Sequence, residues 1–263
     1  MKILLTNDDG FDADGLQVLA RRLRAEHEVW IVAPVSNRSG VSCSFSINCE
    51  HLLQERGGHA YALDASPADC VYSALRGGYL PSLPDIVLSG INHGGNIGTD
   101  VVYSGTCGAA RQAAFSGIPA AALSVERPSG CSRPFCAADF EPLADFAAKN
   151  ILQLKELCGA PDAESGRCSR FVNVNAPVAA SYRGVRFASL AKRIYHGDRV
   201  NIVRKNDENV YSTCIGGNSA SAFGGEGCDA FLVSDGYVAV SVLYTEPSAD
   251  VSFCGKDTGA FVL

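Results

Sequence analysis

The sequence predicts an α/β fold: a Rossmann-like, mostly parallel sheet flanked by helices, with a β-rich C-terminal appendage. Three observations point to it. Short β-branched runs alternate with amphipathic helical patterns over the first part of the chain, as they do when helical crossovers join parallel strands. The early runs end in loops rich in Asn, Asp, Ser and Gly, the composition expected where ligands gather at the carboxyl ends of strands. From about residue 181 the helical patterns give way to short strand-like pieces separated by glycine turns. The expected division is a core over 1–180 and an extension over 181–263 that is not an independent domain.

The elements follow in order. Ile3-Leu4-Leu5-Thr6 is the first strand, and Leu16, Leu19 and Leu23 then recur at helical spacing. Val29-Trp30-Ile31-Val32 is the second strand, closed by Ala33-Pro34. Residues 43–62 read as an excursion of short strands or a hairpin turning near Gly57-Gly58. Ser66-Pro67-Ala68-Asp69 is a capped helix start, and that helix stops at Gly77-Gly78. Ile86-Val87-Leu88 is a third core strand, with a glycine-rich loop from Gly90 to Gly98. A small-residue helix spans about 106–116, and Ala120-Ala121-Ala122-Leu123 is the next strand. One helix is expected over 140–157, then a strand at Phe171-Val172-Asn173-Val174. In the extension, 183–190, 200–204 and 210–215 are strand-like, and 237–243 is the best strand.

Composition narrows the function classes. With 47% hydrophobic and 19% charged residues, the chain is an ordinary globular one. The balance of 22 Lys+Arg against 28 Asp+Glu offers no basic stripe, so a nucleic-acid polymer is not an expected partner. No run of 18 apolar residues exists to span a membrane, and Met1-Lys2 leads straight into a strand. Eleven cysteines occur without a C-x-x-C spacing, which reads as reduced thiols in a cytoplasmic protein; Cys131 with Cys136 is the alternative pair.

The chemistry concentrates after three strands. The first is followed by Asn7-Asp8-Asp9-Gly10, the second by Asn37-Arg38-Ser39-Gly40, and the third by Ser89-Gly90-Ile91-Asn92 and His93-Gly94-Gly95-Asn96. Adjacent carboxylates at Asp8 and Asp9 repel each other, which raises a pKa unless a cation or hydrogen-bond donors neutralise them. Oxygen ligands of this kind suit one Mg²⁺, Mn²⁺ or Ca²⁺ rather than Zn²⁺. A bare Asp-Asp-Gly is also a solvated turn with a helix cap, and Asp12-Ala13-Asp14-Gly15 reads as capping. His93 is expected in a structural hydrogen bond or a substrate contact rather than as a ligand. Ser104-Gly105-Thr106 opens a helix whose free N–H groups make an anion site, although Ser104 or Thr106 could simply cap it. The phosphate-loop, dinucleotide and nucleophile-elbow motifs are all absent from the sequence.

These loops closely resemble the SurE family. The match rests on Ile3 through Gly10, on Ala33-Pro34 with Asn37-Arg38-Ser39-Gly40, and on Ser89 through Asn92 continuing to Tyr103-Ser104-Gly105-Thr106. It runs in order over roughly the first 125 residues, with later landmarks at 173–177 and 236–240. The resemblance implies a metal-dependent phosphatase that hydrolyses nucleoside 5′- and 3′-monophosphates. It also implies Asp8, Asp9, Ser39 and Asn92 as metal ligands, Asn96 with Ser104, Gly105 and Thr106 on the phosphate, and a dimer or tetramer held by the C-terminal part. Asp8 and Asp9 would then be catalytic, through an activated water or by direct attack. Cys107 and Gln112-Ala113 depart from the family pattern along one helix. The alternative function is a catalytically silent sensor that binds nucleotide and metal on the same fold.

Overall fold

The computed structural model describes residues 1–128, 133–197, 199–205, 210–216 and 219–247. Its first half runs β1 (Lys2–Thr6), α1 (Asp14–Leu23), β2 (Glu28–Pro34), β3 (Leu53–Gly57), β4 (Ala60–Leu63), α2 (Pro67–Arg76), β5 (Ile86–His93), α3 (Gly105–Phe115) and β6 (Ala120–Glu126). The remainder runs α4 (Glu141–Lys149), α5 (Ile151–Leu157), β7 (Arg170–Pro177), β8 (Val185–Phe187), β9 (Lys192–His196), β10 (Arg199–Lys205), β11 (Val210–Gly216), β12 (Ser219–Phe223), α6 (Asp229–Ser234) and β13 (Val238–Tyr244).

Nine strands form the central sheet in the order β3-β4-β2-β1-β5-β6-β7-β13-β8. From β4 to β7 every neighbouring pair is parallel; β3 and β13 join antiparallel. Parallel strands bury both faces, which is why β1, β2, β5 and β6 read as continuous apolar runs rather than alternating ones. On one face Leu16, Leu19 and Leu23 of α1 pack with Ile3, Leu5 and, from α4 and α5, Leu143 and Leu154. On the other, the alanines of α3 and Val71 of α2 pack on Leu4, Val32, Val87 and Phe171. Ser66 caps α2 in a capping box with Asp69, with Pro67 in the first turn, as the sequence predicts.

Several expectations need correction. The helix expected over 140–157 is two helices, because Asn150 leaves the helical region (φ −117°, ψ 18°). Its side-chain amide donates to the Phe146 carbonyl at 2.8 Å, a local bond that competes with continuing the helix. Asp12 and Asp14 do not cap α1: Ala13 holds the cap position without a side-chain bond, and Asp14 lies in the first turn. The hairpin expected within 43–62 is present, Leu53–Gly57 pairing antiparallel with Ala60–Leu63 and turning just after Gly57, while residues 43–52 carry no strand. The stretch from Gly90 is strand as far as His93, and its pairing with β6 shifts between Ser89 and Asn92. Such a bulge re-aims side chains near a site, and here it lies just before Asn92. In the extension, β9, β12 and α6 are additional to the expected strands.

The extension is tied to the site-bearing part. β13 joins the main sheet against β7, and β8 pairs with β13. Buried Asp229 accepts N–H bonds from Gly98 (2.7 Å) and Ala191 (2.9 Å), fastening the loop after β5 to the start of β9. Beyond the main sheet, β10–β11 forms a hairpin and β9 pairs antiparallel with β12, with Arg193 of β9 bonded to Thr99 and Asp100. Among the described residues, no helix is long and apolar enough to cross a membrane. Among the described residues nine cysteines, Cys136 included, are free thiols; Cys131, the other half of the alternative pair, lies outside the described residues.

Candidate active site

The parallel strands deliver their carboxyl ends to one edge, and the side chains there form a polar cleft. Asp8, two residues beyond the end of β1, is only 3% exposed. The Thr106 hydroxyl donates to its Oδ1 at 2.5 Å. Burial pushes the Asp8 carboxyl up to about 6; the Thr106 bond opposes the rise, and the charge of Asp9 adds to it. The main cause is therefore desolvation, with the mutual repulsion expected from the sequence a smaller contribution. Among the described residues no Arg, Lys or His forms an ion pair with Asp8.

Asp9 is held by the neighbouring strand. Its Oδ2 accepts the His93 backbone N–H at 3.0 Å, and His93 Nδ1 stands 3.9 Å from its Oδ1. Burial raises the Asp9 pKa, while His93 lowers it through charge and hydrogen bonding. The His93 ring stacks on Phe135 and Phe140 at centroid distances of 5.4 and 5.0 Å, and Arg127 covers Phe135 at 3.7 Å. The hydrogen bond to Asp9 comes from the His93 backbone N–H, while the imidazole itself is held by ring stacking and faces Asp9 at a longer distance.

The second loop is pinned to the first by the Arg38 N–H, which donates to the Asp8 carbonyl at 2.6 Å. Ser39 follows in an Asx turn, its N–H on Asn37 Oδ1 at 2.8 Å. Asn92 donates its amide nitrogen to the Gly94 carbonyl at 2.8 Å, which leaves Oδ1 as the acceptor it can offer. Asn96 is locked from below: its N–H donates to Asn175 Oδ1 (2.8 Å) and its side chain to Ser124 Oγ (2.9 Å). The Asn173 and Asn175 amides both donate to its carbonyl.

Ser104 is the cap of α3, its Oγ accepting the Cys107 N–H at 3.0 Å, so the capping reading holds for Ser104. Thr106 instead turns to Asp8. Between them Gly105 allows α3 to close on the first loop, since a Cβ there would lie 2.8 Å from Asp8 Cβ. The cleft, about 250 Å³, is lined by Asp8, Ser39, Asn92, Asn96 and Ser104, five of the residues singled out from the sequence. Thr106 is fully buried behind Asp8, and Asp9 faces His93.

Two departures along α3 stay out of the cleft wall. Cys107 is buried with its thiol pushed up to about 12 by desolvation, a neutral group 3.5 Å from Asn173 Oδ1. Gln112 bonds Ser116 one turn on. What sequence reasoning missed is Tyr195: it lines the cleft from β9, and its hydroxyl donates to Asp100 at 2.7 Å. Nothing local in the sequence marks it, because tertiary contact alone brings the extension to the site.

The donor set fits a hard cation. A buried carboxylate without a basic partner among the described residues, a second carboxylate beside it and neutral oxygens at Ser39 and Asn92 are what Mg²⁺ or Mn²⁺ takes. Among the described residues no three His, Cys, Asp or Glu side chains gather to hold a metal, so a thiolate and imidazole site of the zinc kind is not formed there.

Fold and site together define an α/β protein with an oxygen-donor cleft at the carboxyl edge of its sheet. The family model described as Survival protein SurE matches residues 3–197. The chain belongs to the SurE family. It is 33% identical to the 5′-nucleotidase SurE of Vesicomyosocius okutanii, over 94% of this chain and 92% of that one. Against the 5′-nucleotidase SurE of Anaeromyxobacter sp. identity is 36%, covering 97% and 94%. The crystal structure of a SurE protein from Aquifex aeolicus superposes with a TM-score of 0.74 at 28% identity, over 97% of each chain.

Proposed function

We propose that the protein is a divalent-cation-dependent phosphomonoesterase that hydrolyses nucleoside 5′-monophosphates, and 3′-monophosphates besides, to nucleoside and phosphate. One observation carries the reading: Asp8, buried and without a basic partner among the described residues, faces a cleft shared with Ser39, Asn92, Asn96 and Ser104. The printed activity of the SurE relatives supports it. Asp8, Asp9, Ser39 and Asn92 would hold Mg²⁺ or Mn²⁺. When bound, such a cation supplies Lewis-acid stabilisation of a phosphoryl oxygen and makes a bound water more acidic.

The chain's own groups supply the rest. Ser104 accepts the cap bond through its oxygen, so its hydroxyl proton is free to donate to a phosphate oxygen. The N–H groups of Gly105 and Thr106 open α3 beside Ser104, and a helix start of this kind favours negative charge. Asn96, fixed by Ser124, Asn173 and Asn175, contributes a donor that needs no reorganisation. Asp8 or Asp9 takes the proton of the attacking water; direct attack by a carboxylate is the rival step, separated by whether oxygen-18 from water enters the protein. The setting is cytoplasmic. The protein assembles as a dimer or tetramer through the extension, whose β10–β11 hairpin exposes Ile202, Val203, Tyr211 and Ile215.

The test is inorganic phosphate release from a panel of nucleoside monophosphates and p-nitrophenyl phosphate. Chelation abolishes release, restoring Mg²⁺ or Mn²⁺ recovers it, and nucleotides outrank the artificial ester. A folded, metal-binding sample that releases no phosphate from any of them would overturn the reading in favour of a silent sensor.

A further inference from the structure

We infer that Tyr195, with Tyr103 as the second aromatic wall, is a specificity-determining residue that seats the nucleobase by stacking. The inference rests on the proposed nucleotide substrate and deepens it. Nearly all of the cleft lining is small or hydrogen-bonding: Asp8, Ser39, Asn92, Asn96 and Ser104 suit a phosphate and its cation and offer no apolar face. Apart from the His93 ring, which is stacked on Phe135 and Phe140, the aromatic rings among its lining residues are Tyr103 and Tyr195. Both are well exposed, Tyr103 at 66% and Tyr195 at 46%, and they come from different parts of the chain.

Exposure alone says little, but Tyr195 is also held in place. Its hydroxyl donates to Asp100 at 2.7 Å, and Arg193 pairs with the other Asp100 oxygen at 2.9 Å. Thr99 and Arg193 bond through the Arg193 backbone N–H, joining β9 to the turn before α3. The Arg193 guanidinium lies 5.6 Å from the centre of the Tyr195 ring, occupying one face of it. A ring anchored at its hydroxyl and backed by a cation leaves its other face for a planar partner, and its orientation is set before the partner arrives. The phenol stays neutral, since burial and Asp100 push it up to about 12. Every base has a π-face, so stacking of this kind accepts purines and pyrimidines alike.

The experiment separates this inference from the activity itself. Adenosine, which cannot be hydrolysed, is titrated calorimetrically into the Mn²⁺-loaded protein, its Tyr195→Leu variant and its Tyr195→Phe variant. In parallel, kcat/KM is measured for adenosine 5′-monophosphate and for ribose 5-phosphate, which lacks the base. Stacking predicts that Tyr195→Leu weakens adenosine about tenfold and cuts the preference for adenosine monophosphate over ribose phosphate by a similar factor, mostly through KM. Tyr195→Phe, which keeps the ring, retains most of both. Equal adenosine affinity in wild type and Tyr195→Leu, or an unaltered substrate ratio, overturns the inference. So does an equal loss on both substrates, which marks Tyr195 as structural only. Should the wild type release no phosphate from any substrate, the phosphatase reading fails and the adenosine titration still decides this one.

Discussion

Replacing Asp8 by asparagine removes metal-supported phosphate release, with a loss of about a thousandfold or more, and at the same time stabilises the metal-free protein at neutral pH. The first effect follows from taking away a carboxylate from the cation's donor set, where the metal's contribution is several kcal/mol, and about 4 kcal/mol is a thousandfold in rate. The second follows from linkage. Burial raises the Asp8 pKa from 3.8 to about 6, so the folded protein holds that proton more tightly than the unfolded chain. Between about pH 4 and pH 6 the unfolded chain has released the proton and the folded one has not, so the contribution of Asp8 to stability falls as pH rises through that window. Above pH 6 the penalty is constant, on the order of 3 kcal/mol at about 1.4 kcal/mol per unit. Asparagine carries no such slope. In metal-free thermal unfolding, the gap between Asp8→Asn and wild type therefore opens in favour of the variant from pH 4 to 6 and then levels. Added Mn²⁺ raises the Tm of wild type far more than that of the variant. A variant that keeps its turnover, or a gap that does not change with pH, contradicts the assignment.

The second large effect is on folding. Gly15 sits in the first turn of α1, where a Cβ would lie 1.9 Å from the Ile91 carbonyl oxygen and 2.9 Å from its carbon. Both neighbours are backbone, on a helix and a sheet strand, so no flexible side chain can give way. Gly15→Ala must push α1 away from β5, and we expect a loss of about 3 kcal/mol in denaturant unfolding, the upper range for overpacking a dense interior. Because Ile91 precedes Asn92, activity falls along with stability. A loss within about 0.5 kcal/mol would place this helix–strand contact among the tolerant surface positions instead.

Gly15 shows where sequence reading stops. The Asp12-Ala13-Asp14-Gly15 stretch looks like a cap, yet Ala13 takes the cap position and the glycine matters for a contact with a residue far along the chain. By contrast, the parallel sheet was legible because strands buried on both faces leave uninterrupted apolar runs such as Ile3-Leu4-Leu5. The loops carrying Asp8, Ser39, Asn92 and Asn96 were legible because strand ends in such a sheet converge. The resemblance to the SurE family singled out those residues and Ser104 within them, and the structure brings all five to one cleft. What local pattern cannot carry is the partner of each group: that Thr106 turns from capping to Asp8, that Asn150 breaks a helix, or that Tyr195 reaches Asp100. The extension was read only in outline, since a short strand such as β9, exposed over nearly all its length, has no buried face to impose a pattern.

The most direct test of the account is anomalous diffraction at the manganese edge from crystals soaked in Mn²⁺. The account predicts one strong peak in the cleft, within bonding distance of Asp8 and Asp9 carboxylate oxygens and of Ser39 and Asn92, and its loss in Asp8→Asn crystals. A peak at another group of residues, or none in a protein whose phosphate release depends on Mn²⁺, would contradict it.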